Sequence, residues 1–234
     1  MKENVIVRNI PRSERDSAIL DEVSKYGVAT LSESQAKKGV LDPSIRPIQE
    51  GRKIAGTAIT VQCFDADNLM IHAALELCHK GDILVVVSLT ETKNGYFGEL
   101  LARAFLKRGV TGLIIDGGVR DVQSLRQLGF PVWSRYINVV GTTKNSPGSV
   151  NIPITCGNVM INPGDFVVAD DDGIVSISRE DIDSVIKNSR EREKRETLTR
   201  EKIANGELSV DFYNLRERIQ SIGVTYVDNM FEGK

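Results

Sequence analysis

Histidine is scarce in this sequence: His72 and His79 are the only two. No cysteine stands close enough to either to complete a tight ligand spacing, which excludes the usual structural zinc frameworks. Cysteine is nearly as rare. Cys63, Cys78 and Cys156 are odd in number, widely separated and set in apolar or helical contexts, the pattern of reduced packing thiols rather than of a disulfide-stapled scaffold. No apolar run approaches the ~18 residues of a membrane span, and the first sixteen residues hold no apolar core between a basic start and a small-residue cleavage site. A soluble, cytoplasmic protein is expected. Charge of one sign is also missing: 30 basic against 32 acidic residues leave a net charge of -2, no broad field for nucleic acid or anionic lipid. What is present, 41% hydrophobic and 26% charged residues over 234 positions, suffices for one substantial core, so the chain needs no staples.

The pattern along the chain alternates. Helices are predicted over 13–26 and 32–38, the second stopped by Gly39, and a β-branched strand over 53–63. Behind Asp67 the spacing of LMIHAALELCHK predicts a helix over 69–80, ended by Gly81. The run ILVVVS at 83–88 reads as a strand buried on both faces. A glycine-rich loop, ETKNGYFG, leads into a helix that ends at Gly109. The grammar then repeats: strand 112–115, loop DGGVR, helix 121–129, strand 131–136. Such βαβ units imply parallel pairing with right-handed crossovers. From 141 to 177 short β-rich pieces separated by Pro-Gly, Asn-Pro-Gly and Asp-Asp-Gly turns suggest an antiparallel layer on the same core. A charged helix is predicted over 179–205, supported by four-residue pairs such as Glu196 with Arg200. A further short helix and a possible strand end the chain, with Phe212, Tyr213 and Leu215 as anchors for a neighbouring surface.

Chemistry is expected in two loops that follow predicted parallel strands, where open α/β sheets collect ligands. In the first, Gly98, Glu99, Leu100 and Leu101 straddle the start of a helix whose free amides suit a small carboxylate. In the second, Arg120 offers a planar fork for a carboxylate and Asp121 a hard oxygen for a divalent cation. Each loop taken alone reads more readily as structure, with Asp121 an N-cap and Arg120 its charge partner; the glycines that precede Arg120 and allow close backbone approach shift the balance toward a pocket. Lower expectations attach to Asp65, Asp67 and Asn68 as pocket-mouth or capping residues, to the Asp170, Asp171, Asp172 triplet as a solvated turn, and to Lys93 as a surface lysine. His72 and His79, seven apart on one predicted helix, could share a face.

Taken together, GELLA, GLIIDGGVRDVQSLRQLGFPVWSR and GTTKNSPGSVNIPITCGNVMINPGDFVVADDDGIVSI resemble the RraA-like family, in its branch of class II 4-hydroxy-4-methyl-2-oxoglutarate and 4-carboxy-4-hydroxy-2-oxoadipate aldolases. The likeness runs from about Lys53 to Val227. It implies an α/β/β sandwich of the swivelling phosphohistidine-domain type over 1–178, with a C-terminal helical extension over 179–234 that contacts a neighbouring subunit of a homotrimer or homohexamer. It implies a small oxo-acid substrate, a Mg²⁺ or Mn²⁺ cofactor, and no nucleic-acid or membrane partner. By motif, Gly98, Glu99, Leu100 and Leu101 would cradle the pyruvate portion, Arg120 would bind substrate, and Asp121 would hold the metal. Glu99 stands where some family aldolases have an aspartate, and Glu193 or Glu196 would be the acid lent to the next subunit. Retro-aldol cleavage and oxaloacetate decarboxylation follow, since both develop a pyruvate enolate. The rival reading is a regulator that, like RraA, binds an endoribonuclease. The tail over 190–227 favours the aldolase branch.

Overall fold

A computed structural model describes residues 6–10 and 12–227. The chain divides into two compact units after Ser189. In the first, helices α1 (Arg15–Val23) and α2 (Val28–Ser34) precede the short β1 (Arg46–Pro47) and the long β2 (Ile54–Cys63). Then come α3 (Leu69–Leu77), β3 (Asp82–Ser88), β4 (Gly95–Phe97), α4 (Glu99–Lys107), β5 (Gly112–Val119), α5 (Val122–Leu128) and β6 (Val132–Ile137). Five short strands follow: β7 (Ser149–Val150), β8 (Ile154–Cys156), β9 (Val159–Ile161), β10 (Phe166–Ala169) and β11 (Ile174–Ile177).

Strands β2, β3, β5 and β6 pair in parallel, as the alternating grammar requires. The mixed sheet runs β1-β6-β5-β3-β2-β10-β11, with β4 added to β5 and β7 to β2. β10 is antiparallel to both β2 and β11, and β8 with β9 forms a separate hairpin. The period of two sorts β3 between the layers. Leu84 and Val86 join the core beneath α3, α4 and α5, with Phe97, Phe105 and Phe130. Ile83, Val85 and Val87 face the opposite way, into the core closed by Trp133, Ile154 and Ile161. α1, α2 and the first turns of α6 (Ile182–Ala204) bury Val23, Leu31, Val185 and Ile186 against β10 and β11. The result is the predicted α/β sandwich around a curled mixed sheet, with a C-terminal helical extension.

Several boundaries differ from the sequence expectation. α2 forms four residues early because Val28 and Leu31 are the positions the core covers, while Ala36 and Lys37 adopt left-handed backbone that no helix continues. α3 stops at Leu77 with Cys78 extended, so His79 lies outside the helix and shares no helical face with His72. The DGGVR stretch is mostly strand: β5 extends to Val119 because β4 and β6 give it partners on both sides. Within the supposed ETKNGYFG loop, β4 is likewise a strand. All three cysteines are free and buried, and burial pushes the Cys63 and Cys78 thiols up to about 12. No helix among the described residues is long and apolar enough to cross a membrane.

The second unit holds the remainder of α6, then α7 (Ser209–Phe212) and α8 (Arg216–Ser221). Arg200 pairs with Glu193 at 3.0 Å and Glu196 at 3.4 Å, so this length of helix is supported by its own charges. Phe212 meets Tyr213 edge-on at 4.6 Å, and no strand forms among the described residues beyond α8.

Candidate active site

The end of β5 and the start of α4 are brought together by missing side chains. At Gly118 a Cβ would stand 2.5 Å from the Asn94 carbonyl oxygen and 2.7 Å from that of Lys93, so only glycine lets the approach to β4 lie against β5. That contact delivers Phe97 to Arg120, whose amide donates to the Phe97 carbonyl at 2.9 Å. Gly98 and Glu99 therefore face Arg120 and Asp121. A Cβ on Gly98 would collide with Asp121 Oδ2 and stand 3.3 Å from Arg120 Cγ.

Asp121 precedes α5 in left-handed backbone, φ 56° and ψ 35°, an uncommon conformation for a side-chain-bearing residue. The turn sends its carboxylate away from α5, whose first turn it does not cap. Oδ2 accepts the Glu99 amide at 3.2 Å and lies 4.0 Å from Arg120 Nε. Both side chains remain about half exposed, at 49% for Arg120 and 45% for Asp121. The N-cap reading of Asp121 is corrected in one respect: it caps the neighbouring helix.

These residues open onto a cavity of about 130 Å³. Gly98, Leu100, Leu101, Arg120 and Asp121 line it. Glu99 is the exception among the predicted residues, because its carboxylate pairs with Arg103 one turn along α4. The same cavity is lined by groups that the loop motifs did not point to: Asn68 and His72 at the start of α3, and Thr142 and Lys144 from the loop after β6. Lys144 carried no signal in the sequence, where it is one lysine in a polar loop. His72 was weighed only as a zinc ligand, yet it belongs here. Burial, and then the nearby Lys144, hold its imidazole below the ordinary range. Asn68 is 6% exposed and donates through Nδ2 to the Tyr96 carbonyl at 2.8 Å, which orients its amide. Its Oδ1 is buried with no partner among the described residues.

Other candidates lie elsewhere. Lys93 stands 5.6 Å over the Tyr136 ring. The carboxylates of Asp170 and Asp171 accept the Val28 and Gly51 amides, as turn residues do. Asp65 accepts the Thr90 amide at 2.8 Å. Among the described residues no three His, Cys, Asp or Glu side chains converge as a metal cage. A hard divalent ion at this cavity would rest on Asp121, with water and substrate oxygens completing its shell, an arrangement magnesium sites commonly use.

Residues 17–176 match the RraA-like family described as Aldolase/RraA. The chain belongs to the RraA-like family. A relative from Halalkalibacterium halodurans, provisionally named 4-hydroxy-4-methyl-2-oxoglutarate aldolase, is 27% identical over 80% of this chain and 90% of its own length. A protein of the same provisional name from Alcanivorax borkumensis is 36% identical over 52% of this chain and 75% of its own. Among solved structures, Streptomyces coelicolor RraAS2, described as an unusual member of the RNase ES inhibitor RraA protein family, superposes with a TM-score of 0.74. It is 27% identical, and the match covers 81% of this chain and 99% of RraAS2. The RraA-like family thus contains both aldolase names and regulator names, and the cavity chemistry has to choose between them.

Proposed function

We propose that this RraA-like protein is a divalent-metal-dependent lyase. It cleaves a 4-hydroxy-4-substituted-2-oxo-dicarboxylate or tricarboxylate to pyruvate and a second oxo-acid, and decarboxylates oxaloacetate as a side activity. The observation that carries this reading is one cavity lined by Asp121, Arg120, Lys144 and His72 together, with Asp121 Oδ2 4.0 Å from Arg120 Nε. One carboxylate suited to a cation, set among side chains suited to anions, matches a small polyanionic substrate better than a macromolecular surface.

Asp121 would hold Mg²⁺ or Mn²⁺, which when bound would supply Lewis acidity toward the substrate's 2-oxo group. The protein's own groups bind and orient the substrate. The first-turn amides of α4 at Leu100 and Leu101 have no carbonyl partner within the helix and offer donors to the substrate carboxylate. Arg120 holds the carboxylate of the departing oxo-acid through its planar fork. The subunits form a homotrimer or homohexamer, in which Glu193 or Glu196 is lent to a neighbouring site.

Pyruvate release from 4-hydroxy-4-methyl-2-oxoglutarate, 4-carboxy-4-hydroxy-2-oxoadipate and oxaloacetate is measured with Mg²⁺ or Mn²⁺ and again after chelation. Metal-supported release is expected, and activity indifferent to thorough chelation overturns the mechanism. The likeness to RraAS2 favours a second reading, inhibition of an endoribonuclease by direct binding. Absence of pyruvate from all three substrates, together with saturable binding to an RNase E-type enzyme, would establish that reading instead.

A further inference from the structure

Two segments far apart in sequence, the start of α3 and the loop after β6, both line the cavity, and one buried carboxylate ties them together. Asp67 is 1% exposed. Its Oδ1 accepts the Leu69 amide at 2.9 Å, in the first turn of α3. Its Oδ2 accepts the Thr143 hydroxyl at 2.7 Å and the amides of Asn145 at 2.6 Å and Ser146 at 3.0 Å. Backbone bonds reinforce the junction, from the Thr143 amide to the Ala66 carbonyl at 2.8 Å and from the Asn68 amide to the Thr143 carbonyl at 3.0 Å.

The loop has little else to hold it. Residues 143–145 are exposed and Thr142 and Ser146 only half-buried, and none of the five is a large apolar residue, so apolar packing does not fix where Lys144 stands. Hydrogen bonds to an ionised acceptor are stronger than neutral ones, and three of these four converge on a single oxygen from residues on both sides of Lys144. All four partners are donors. An amide in place of this carboxylate would keep its size but turn NH₂ hydrogens toward N–H or O–H groups at one end.

We propose that Asp67 is a positioning residue of the site: its carboxylate fixes Lys144 against the start of α3, so that Lys144, Asn68 and His72 face the cavity together. The role in substrate binding rests on the lyase reading above. The clamp itself does not.

The test therefore has one arm without substrate. In the full-length protein the titration of His72 is followed by NMR in wild type, Lys144→Gln, Asp67→Asn and the double variant. Removing a nearby cation raises a histidine pKa, so Lys144→Gln is expected to shift His72 upward in the wild-type background. In the Asp67→Asn background Lys144 has already left its place, and the same substitution is expected to move His72 little. Equal Lys144→Gln shifts in the two backgrounds overturn the proposal. Should Asp67→Asn fail to fold, Thr143→Val removes one donor to the same oxygen and is expected to reduce the Lys144→Gln shift in part; an undiminished shift again overturns it.

The second arm is kinetic. With oxaloacetate and Mn²⁺, Asp67→Asn and Lys144→Gln are each expected to raise KM about tenfold with kcat within about twofold, and the double variant to be no worse than either. Multiplying KM effects, or a loss confined to kcat, would overturn the positioning role. A background-dependent His72 shift in a protein that turns over none of the oxo-acids sinks the lyase reading and leaves the clamp standing.

Discussion

The carboxylate of Asp121 caps the helix across the cleft from its own: Oδ2 accepts the amide of Glu99, the first residue of α4, at 3.2 Å. The bond is possible because Asp121 adopts left-handed backbone at the end of β5 and turns away from α5. It joins the two predicted loops into one site. It also leaves the remaining acceptor capacity of the carboxylate free for a cation beside Arg120.

Gly98→Ala tests how tightly those loops are fitted. The backbone at Gly98 is extended, so alanine costs little conformationally there, and the harm comes from the collision of its methyl group with Asp121 Oδ2. Turnover is expected to fall by about 100-fold, as displacement of catalytic groups by about 1 Å can cause, while the circular dichroism spectrum and assembly state stay those of wild type. A variant with normal turnover would show that Asp121 can shift without consequence.

Asp121→Asn keeps an oxygen for the Glu99 amide and removes the charge. Thermal stability is expected to change by less than about 1 kcal/mol, whereas Mn²⁺-supported pyruvate release is lost. Asp121→Ala loses the cap as well and is expected to cost about 1 kcal/mol more. Calorimetric Mn²⁺ titration separates the two effects: unchanged metal affinity in both variants would remove Asp121 from the metal site.

Arg12→Ala is a stability prediction away from the site. Asp82 is fully buried and accepts both Arg12 guanidinium nitrogens at 2.7 and 2.8 Å, with the Thr57 hydroxyl and the His79 amide each at 2.7 Å. Removing the arginine leaves an uncompensated buried carboxylate, a change that costs about 3 kcal/mol in comparable pairs. A fall in Tm of about 6–12 °C is expected by scanning calorimetry, with activity at 25 °C retained.

Asp67 gives the acid limb of stability its sign. Burial alone would raise its pKa, but the Asn145, Leu69 and Ser146 amides and the Thr143 hydroxyl together hold it below the usual carboxylate range. A group with a depressed folded pKa stabilises the protein above its unfolded value of about 3.9 and loses that contribution as pH falls through the folded value. Wild type is therefore expected to exceed Asp67→Asn in Tm at pH 7, and the gap to narrow below about pH 4. A gap that is constant from pH 7 to pH 2.5 would mean that the ionised carboxylate contributes nothing.

Long periodic elements were legible from residue pattern. ILVVVS reads as a strand buried on both faces because it is one, and the parallel order of β2, β3, β5 and β6 follows from the helices between them. Elements whose existence depends on a distant partner were not. β4 and the second half of β5 contain the glycines that mark loops, and they are strands because each supplies the other's ladder. α3 ends before Cys78, and the next residue, His79, gives its amide to the Asp82 carboxylate, an acceptor that no local rule anticipates.

The sequence by itself determined the α/β class and the parallel order of the central strands, because apolar period and glycine position are local properties; it also singled out Gly98, Leu100, Leu101, Arg120 and Asp121, which the fold gathers at one cavity. Tertiary structure alone decided that Asp121 caps α4, that Glu99 turns to Arg103, and that His72 and Lys144 complete the cavity. Those outcomes depend on which segments a sheet brings within hydrogen-bonding distance. Asp67 and the 142–146 loop meet only because β7 pairs with β2 beside them, a contact that neither segment encodes alone.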